Sequence, residues 1–183
     1  MNSLRKYALT MSLYLNSRGF AFVLFEGTLS PYDWGVFDIR GPEKDRHVVD
    51  KVLRLLSQYV PDVLVMQDTS PEGTTRANRL VSLNSELAAL AQEFGMPVFT
   101  YSRDEIYRGF NSMGFANKQM LAGLIAKHIP AFERHVPPPR KPWMSEDARM
   151  GLFDAAALAL LFFRKANRFD IPRPDALLPD PLN

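Results

Sequence analysis

A chain of 183 residues, of which 46% are hydrophobic and 23% charged, is long enough to form one domain with a sizeable core. The absence of cysteine excludes disulfides and thiolate metal sites, and a formal net charge of +2 does not by itself indicate a nucleic-acid partner. No apolar stretch has the length of a membrane span, so we expect a cytoplasmic protein without membrane contact.

The first 41 residues predict an extension followed by a hairpin. Residues 1–19 carry two positive charges before a short apolar run that polar residues interrupt, which predicts an N-terminal extension rather than a signal peptide. The β-branched and aromatic run FAFVLFE, residues 20–26, predicts the opening strand. After a turn at TLSP, the run YDWGVFDIRG, residues 32–41, predicts a second strand paired with the first.

The middle of the chain predicts alternating helices and strands. Apolar spacing indicates a helix from Glu43 to Tyr59, and the continuously apolar run DVLVMQ, residues 62–67, is typical of a strand buried on both faces. A polar loop then leads to an amphipathic helix over residues 76–94, which Gly95 ends.

The remainder predicts a strand and further helices before a proline-rich tail. In chain order these are a strand at 96–101, a helical turn within 102–110, a helix at 116–129, a proline-rich basic loop at 135–143 and a helix from Ser145, its N-cap, to about Asn167. The tail, residues 169–183, carries four prolines, which leaves residues 20–168 as the domain. This order implies a mixed sheet with helices on its faces.

The last predicted helix contains an unexpected charge. Asp154 stands in GLFDAAALALLFF, residues 151–163, where nearly every other side chain is apolar. A helix that is apolar on nearly every side is packed on nearly every side, and a carboxylate there is costly unless a partner stabilises it. Asp154 therefore either lies at a solvated helix end or faces a cation.

Two further carboxylates follow predicted strands. Glu26 ends the first strand, and Asp68 follows Gln67 at the end of the 62–67 strand. Ligand sites in open α/β sheets form where strands end, so these side chains would meet Asp154 if the two strands are neighbours. Carboxylates gathered in this way repel one another and favour divalent cations, which can activate water for phosphodiester cleavage.

Four motifs in sequence order resemble those of RuvC-like Holliday-junction resolvases, of the ribonuclease H-like superfamily. EGTLSPYDWGVF is similar to the family's opening hairpin, and PDVLVMQD to the strand that supplies its second carboxylate. GFANKQM, residues 114–120, resembles a helix entry that matches Lys118 to the family's lysine, and DAAALAL resembles the closing helix with its last catalytic Asp. The resemblance covers about residues 20–163.

The resemblance implies an α/β fold of the ribonuclease H-like type, with a mixed sheet of an opening antiparallel hairpin and then parallel strands, flanked by helices. It implies a metal-dependent nuclease that hydrolyses branched or structured DNA. Glu26, Asp68 and Asp154 would be the catalytic residues and would hold Mg²⁺ or Mn²⁺. Lys118 would contact phosphate, and relatives of this kind are commonly homodimers.

Basic residues outside the motifs are candidate DNA contacts. Arg76 opens a predicted helix, and Arg140 and Lys141 lie in the proline-rich loop; all three are predicted to contact a nucleic-acid backbone. A solvated connector explains the loop at least as well. Trp143, in the same loop, is expected to pack against the protein rather than to stack on a base.

Departures from the family pattern affect the predicted metal site. Glu26 replaces an Asp and is one methylene longer, Gln67 stands where the family has Glu, and Gly151 stands where it has Asp or His. Asp147 is about 10 Å along the helix axis from Asp154, beyond the separation of about 4 Å in a two-metal pair. The alternative is therefore a catalytically degenerate relative with a nucleic-acid-binding or assembly role.

Overall fold

The computed structural model describes residues 8–70, 78–111 and 117–165. The predicted tail at 169–183, the candidate DNA contact Arg76 and the first residues of the GFANKQM motif lie outside these ranges.

A five-stranded mixed sheet with helices on both faces forms the domain. The strands are β1 (Leu9–Asn16), β2 (Gly19–Glu26), β3 (Pro31–Asp38), β4 (Val63–Gln67) and β5 (Val98–Tyr101), in the order β3-β2-β1-β4-β5. The helices are α1 (Lys44–Tyr59), α2 (Asn78–Glu93), α3 (Arg103–Phe110), α4 (Lys118–His128) and α5 (Met150–Lys165), and a 3-10 helix spans Pro130–His135. Strands β1 to β3 are antiparallel, whereas β4 and β5 run parallel to β1, so the predicted mixed sheet is confirmed.

The opening strand of the fold is β1, which corrects the prediction that residues 1–19 form an extension outside the domain. Aliphatic residues alternate with others along LTMSLYLN, and this period of two places successive side chains on opposite faces. Met11, Leu13 and Leu15 pack with α1 and α2, whereas Tyr14 packs with α5. β1 therefore lies at the centre of the sheet, between β2 and β4.

The predicted strands 20–26 and 32–41 form the antiparallel pair of β2 and β3, but β2 also forms a hairpin with β1. The turn from β1 to β2 is closed by Asn16, whose side-chain oxygen accepts a hydrogen bond of 2.9 Å from the Arg18 amide. Gly19 begins β2 at a point where a Cβ atom would overlap the carbonyl oxygen of Phe37, so this position requires glycine.

Helix α5 crosses one face of the sheet and is almost entirely buried. Every residue from Met150 to Phe163 is buried except Asp154, and the helix packs on β1 and β2. It begins at Met150 rather than at the predicted Ser145, since residues 145–147 are irregular and residues 148–149 form a turn before it. None of the helices in the described part of the chain is long and apolar enough to cross a membrane.

Candidate functional site

The carboxyl ends of β1 and β4 lie side by side at one edge of the sheet, because the two strands are parallel neighbours. Tyr14 of β1 and Val65 of β4 both pack in the core under α5. Side chains two residues apart share a face, so Asn16 and Gln67 also lie on the α5 side at this edge. These two amides lie at the strand ends where the predicted carboxylates Glu26 and Asp68 were expected to meet.

Glu26 lies at the opposite edge of the sheet. It pairs with Leu9 at the start of β1, whereas Asn16 pairs with Gly19 at the other end, about 23 Å away at 3.3 Å per residue. Its neighbour Phe25 packs edge to face on Phe163, near the end of α5 and about 14 Å along the axis from Asp154. This placement contradicts the predicted sharing of a cation by Glu26 and Asp154.

Asp68 serves a turn rather than the predicted metal site. Its backbone amide donates to the Tyr101 carbonyl at 2.8 Å, which extends the pairing of β4 and β5 by one residue. Its Oδ1 accepts a hydrogen bond of 2.8 Å from the Ser70 amide. Since Asp68 follows Gln67 directly, strand alternation directs it away from the α5 face.

Of the two alternatives for Asp154, a solvated helix end or a facing cation, the structure shows the second. Lys118, the first residue of α4, places its Nζ 2.9 Å from Asp154 Oδ2 and 3.2 Å from Glu146 Oε1. The side chains of Asp154 and Lys118 are 14% and 21% exposed. Lys118 Nζ also lies 5.5 Å from the centre of the Tyr14 ring, so the ammonium is held between three groups that favour its charge.

The surroundings of the Lys118–Asp154 pair shift the pKa of both groups. Burial by itself lowers the pKa of Lys118, but the Asp154 carboxylate, Tyr14 and Glu146 outweigh it and raise that pKa above its ordinary range. Burial raises the pKa of Asp154, while Lys118 acts in the opposite direction. The lysine is therefore a fixed positive charge at neutral pH.

Gly151 allows α5 to approach the sheet closely, one helical turn before Asp154. A Cβ atom on Gly151 would lie 3.2 Å from the Ala21 Cβ and 3.5 Å from the Asn16 Nδ2. The first of these distances is shorter than ordinary van der Waals contact. The space that a carboxylate at this position would need is therefore filled by packing between α5, β1 and β2.

The donor set does not fit the predicted binding of Mg²⁺ or Mn²⁺. Such ions prefer several oxygen ligands with negative charge, whereas this edge offers the amides of Asn16 and Gln67 and a single inner carboxylate, Asp154. The ammonium of Lys118 already lies against that carboxylate. No group of three or more His, Cys, Asp or Glu side chains within the described residues is arranged to hold a metal ion.

Gln67 contributes an unusual oxygen atom to this edge. The residue is 8% exposed, and its Oε1 has no hydrogen-bond partner among the residues that the structure describes. Its backbone carbonyl, in contrast, accepts a hydrogen bond of 3.0 Å from Asn84. A buried acceptor without a donor is costly, which marks Gln67 as a position where a ligand group would be stabilised.

A cleft of about 540 Å³ opens beside Lys118. Besides Lys118, residues that line this Lys118 cleft include Arg103, Tyr107, Gln119, Pro137, Arg140, Glu146 and Asp147. The Arg103 guanidinium donates to the Tyr107 hydroxyl, and that of Arg140 to the Met144 carbonyl, so both cations bind neutral groups. Their charges remain available to an anion in the cleft.

Of the basic residues predicted to contact DNA, Lys118 and Arg140 line the Lys118 cleft. Arg140 lines it and is exposed, and Lys141 is the next residue, with its Nζ 5.3 Å from the centre of the exposed Trp143 ring. Lys118 lies deeper and is committed to Asp154 and Glu146. The structure thus brings Lys118, Arg140 and Asp154 to one region, leaves Glu26 at the opposite edge of the sheet, and directs Asp68 away from the α5 face.

Sequence reasoning missed Asn16 as a site residue. The family pattern requires a carboxylate after the opening strand and before a turn with glycine, and assigning that strand to residues 20–26 moved the position to Glu26. The alternation in LTMSLYLN, followed by Ser17, Arg18 and Gly19, is the signal that identifies the correct strand.

Comparison with known proteins identifies structures of similar fold. No protein-family model matches the sequence, and no curated protein matches it. The structure of RuvC from Thermus thermophilus superposes with a TM-score of 0.61 at 18% identity, covering 87% of this chain and 97% of that chain. The T. thermophilus RuvC complex with Holliday junction substrate gives 0.61 at 19% identity, with 87% and 96% covered.

A third similar structure is the yeast mitochondrial Holliday junction resolvase Ydc2, with a TM-score of 0.59 at 16% identity, covering 87% of this chain and 79% of that chain. Identities this low establish shape and not chemistry. The chain therefore has a RuvC-like fold of the ribonuclease H type, which confirms the fold predicted from the four motifs.

Proposed function

We propose that this protein binds branched or structured DNA in the Lys118 cleft and does not hydrolyse it. The observation that carries the proposal is the bond between the Lys118 ammonium and the Asp154 carboxylate at the edge where a nuclease of this fold would gather carboxylates. A fixed ammonium takes up the negative charge that would otherwise attract a divalent ion.

The charges of the cleft support a nucleic-acid ligand. Lys118 offsets one of the two negative charges of Glu146 and Asp154, and Asp147 forms an ion pair of 2.7 Å with Arg149. The cations of Arg103 and Arg140 are bound to neutral groups instead. The cleft is therefore positive on balance, and phosphate contacts of this kind supply most of the affinity of proteins for DNA.

The preference for branched DNA rests on the fold. The similar structures are resolvases, one of them bound to Holliday junction substrate. We infer from this likeness that a four-way junction is the first DNA ligand to test. A homodimer, as expected from the resemblance, belongs to the same proposal and is tested by measuring the mass of the free protein in solution by light scattering.

The test measures binding of a fluorescent four-way junction and a duplex of matched length in EDTA. We expect the junction to bind more tightly than the duplex, and its affinity to fall steeply with salt. Arg103→Ala and Arg140→Ala should each weaken binding and reduce the slope of log K against log salt by about 1.

The control is Arg54→Ala, because Arg54 is exposed on α1, which packs on the opposite face of the sheet. This variant should bind as the wild type does. Equal losses in all three variants, or no binding of either DNA by the wild type at low salt, would exclude the cleft as a DNA-binding surface.

A metal-dependent nuclease is the second candidate, and the unpartnered Oε1 of Gln67 favours it. An amide oxygen is an acceptable, though neutral, ligand for Mg²⁺ or Mn²⁺. The test is cleavage of the junction with either ion by the wild type, Asp154→Asn and Gln67→Leu. Cleavage that both substitutions abolish would establish the nuclease, and intact DNA in every reaction would support binding without hydrolysis.

A further inference from the structure

Trp143 is presented to solvent at the tip of a turn. The Met144 amide donates to the Lys141 carbonyl at 2.9 Å, so Lys141 to Met144 form a β-turn with Pro142 at its second position and Trp143 at its third. Proline fixes the backbone of that second position in advance. Trp143 is 78% exposed, which contradicts the expectation that it packs against the protein.

The segment that carries this turn is held at both ends. Gln119 of α4 donates to the Pro137 carbonyl at 2.6 Å, and Arg18 donates to the Glu146 carbonyl at 3.3 Å. Within the segment, the Arg140 guanidinium donates to the Met144 carbonyl at 2.7 Å. The indole is therefore presented by an ordered backbone, which lowers the entropy lost when it binds a partner.

Two cations that could contact phosphate, Arg140 and Lys141, lie close to the indole in the chain. Lys141 Nζ lies 5.3 Å from the centre of the Trp143 ring, and Arg140 lines the Lys118 cleft. A second cavity of about 390 Å³ beside the turn is lined by Arg18 and Arg140 and also by the acidic residues Glu146 and Asp147. A base stacked on the indole would thus have its phosphates next to two or three cations, an arrangement typical of single-strand binding surfaces.

We propose that Trp143 stacks on an unpaired base at the branch point of the DNA bound in the Lys118 cleft. This inference rests on the proposed function and adds to it the feature of the ligand that is recognised, a base exposed outside a duplex. Aromatic stacking is tolerant of base identity, so the turn would distinguish unpaired from paired DNA rather than one sequence from another.

The experiment compares DNA with unpaired bases at a branch, DNA with a fully paired branch, and a plain duplex. Trp143→Ala should weaken binding of the first by about tenfold to a hundredfold and leave duplex binding within about twofold. Trp143→Phe should restore most of the loss, since a smaller ring still stacks. Tyr32→Ala is the matched control, because Tyr32 is 62% exposed but lies at the start of β3, near Glu26 at the end of β2.

The outcomes separate this inference from the proposed function. DNA binding by the wild type that Trp143→Ala leaves unchanged, or weakens equally for all three ligands, overturns the stacking role while DNA binding in the cleft stands. In that case the exposed indole is assigned to contact with another protein. Absence of binding to every ligand by the wild type overturns both the proposed function and this inference.

Discussion

Lys118 Nζ lies 2.9 Å from Asp154 Oδ2, and this contact joins the first turn of α4 to the first turns of the buried helix α5. Each partner satisfies a charge that would be costly alone in its surroundings. The pair therefore has two consequences, one for the stability of the fold and one for the chemistry at the edge of the sheet.

The stability consequence is tested with Lys118→Met. Removal of the ammonium leaves Asp154 charged and 14% exposed, so we expect a loss of about 1–3 kcal/mol in the free energy of unfolding at pH 7. Asp154→Asn should cost less, because Lys118 keeps its contact with Glu146 at 3.2 Å. Urea unfolding of both single variants and the double variant gives the coupling energy. Additive losses would show that the contact contributes nothing.

The pH dependence of Lys118→Met has a definite sign. Burial already raises the pKa of Asp154, and removal of Lys118 takes away the charge that opposes this shift. The folded variant then binds a proton that the unfolded chain does not, so its stability rises as the pH falls from 7 towards 5. The urea midpoint of Lys118→Met should therefore lie closer to that of the wild type at pH 5 than at pH 7. A gap that widens on acidification would contradict this account.

The close approach of α5 to the sheet is tested at Gly151. Gly151→Ala adds a Cβ atom that would lie 3.2 Å from the Ala21 Cβ, and we expect a loss of about 1–3 kcal/mol in the free energy of unfolding despite the higher helix propensity of alanine. Gly123→Ala in α4 is the control, because nothing lies within 4 Å of its Cβ position. That variant should be neutral or slightly stabilised, and similar changes in both variants would mean that α5 has room to adjust.

The fold was predictable because its motifs are local. Apolar runs and turn residues identified β2, β3 and β4, and their order implied the mixed sheet. The sequence predicted a single helical turn within residues 102–110, where the structure has the eight-residue helix α3. Ser102 and Glu105 form a capping box at its start, and the pattern S-x-x-E in the sequence indicates such a helix start.

The candidate site was predicted only in part, because it depends on which strand opens the sheet. Treating residues 1–19 as an extension assigned the first ligand to Glu26, although β1 places Asn16 there. Asp154 was identified as a candidate site residue because a buried carboxylate is costly without a partner. That partner, Lys118, is 36 residues away in the chain. Such pairing follows from the packing of α4 on α5 and has no local signal.

A separate electrostatic contact is tested at Tyr59. Its hydroxyl donates to Asp33 Oδ2, and this hydrogen bond, assisted by burial, raises the pKa of Tyr59 to about 12. Because the unfolded chain loses this proton near pH 10, the contribution of the contact is present below pH 10 and is lost as the pH rises towards 12. Phenolate absorbance after a rapid pH jump should show a tyrosine that ionises near pH 12, which Tyr59→Phe removes and Asp33→Asn shifts to lower pH. A titration unaffected by Asp33→Asn would assign the shift to another group.

The chemical consequence of the Lys118–Asp154 pair is tested by rebuilding the carboxylates. Asn16→Asp with Gln67→Glu places two further negative charges on the α5 side of the sheet edge, and Lys118→Gln frees Asp154 from its ammonium. We expect the triple variant to bind Mn²⁺ roughly tenfold or more tightly than the wild type, because affinity for hard cations rises with the number of charged oxygen ligands. Isothermal titration calorimetry in the absence of DNA measures this directly. The double variant that retains Lys118 should bind weakly, since its ammonium still neutralises Asp154, and Asp154→Asn added to the triple variant should reduce the gain. A wild type that binds Mn²⁺ as tightly as the triple variant would show that lysine and amides are no obstacle to the ion, and the nuclease would then become the favoured function.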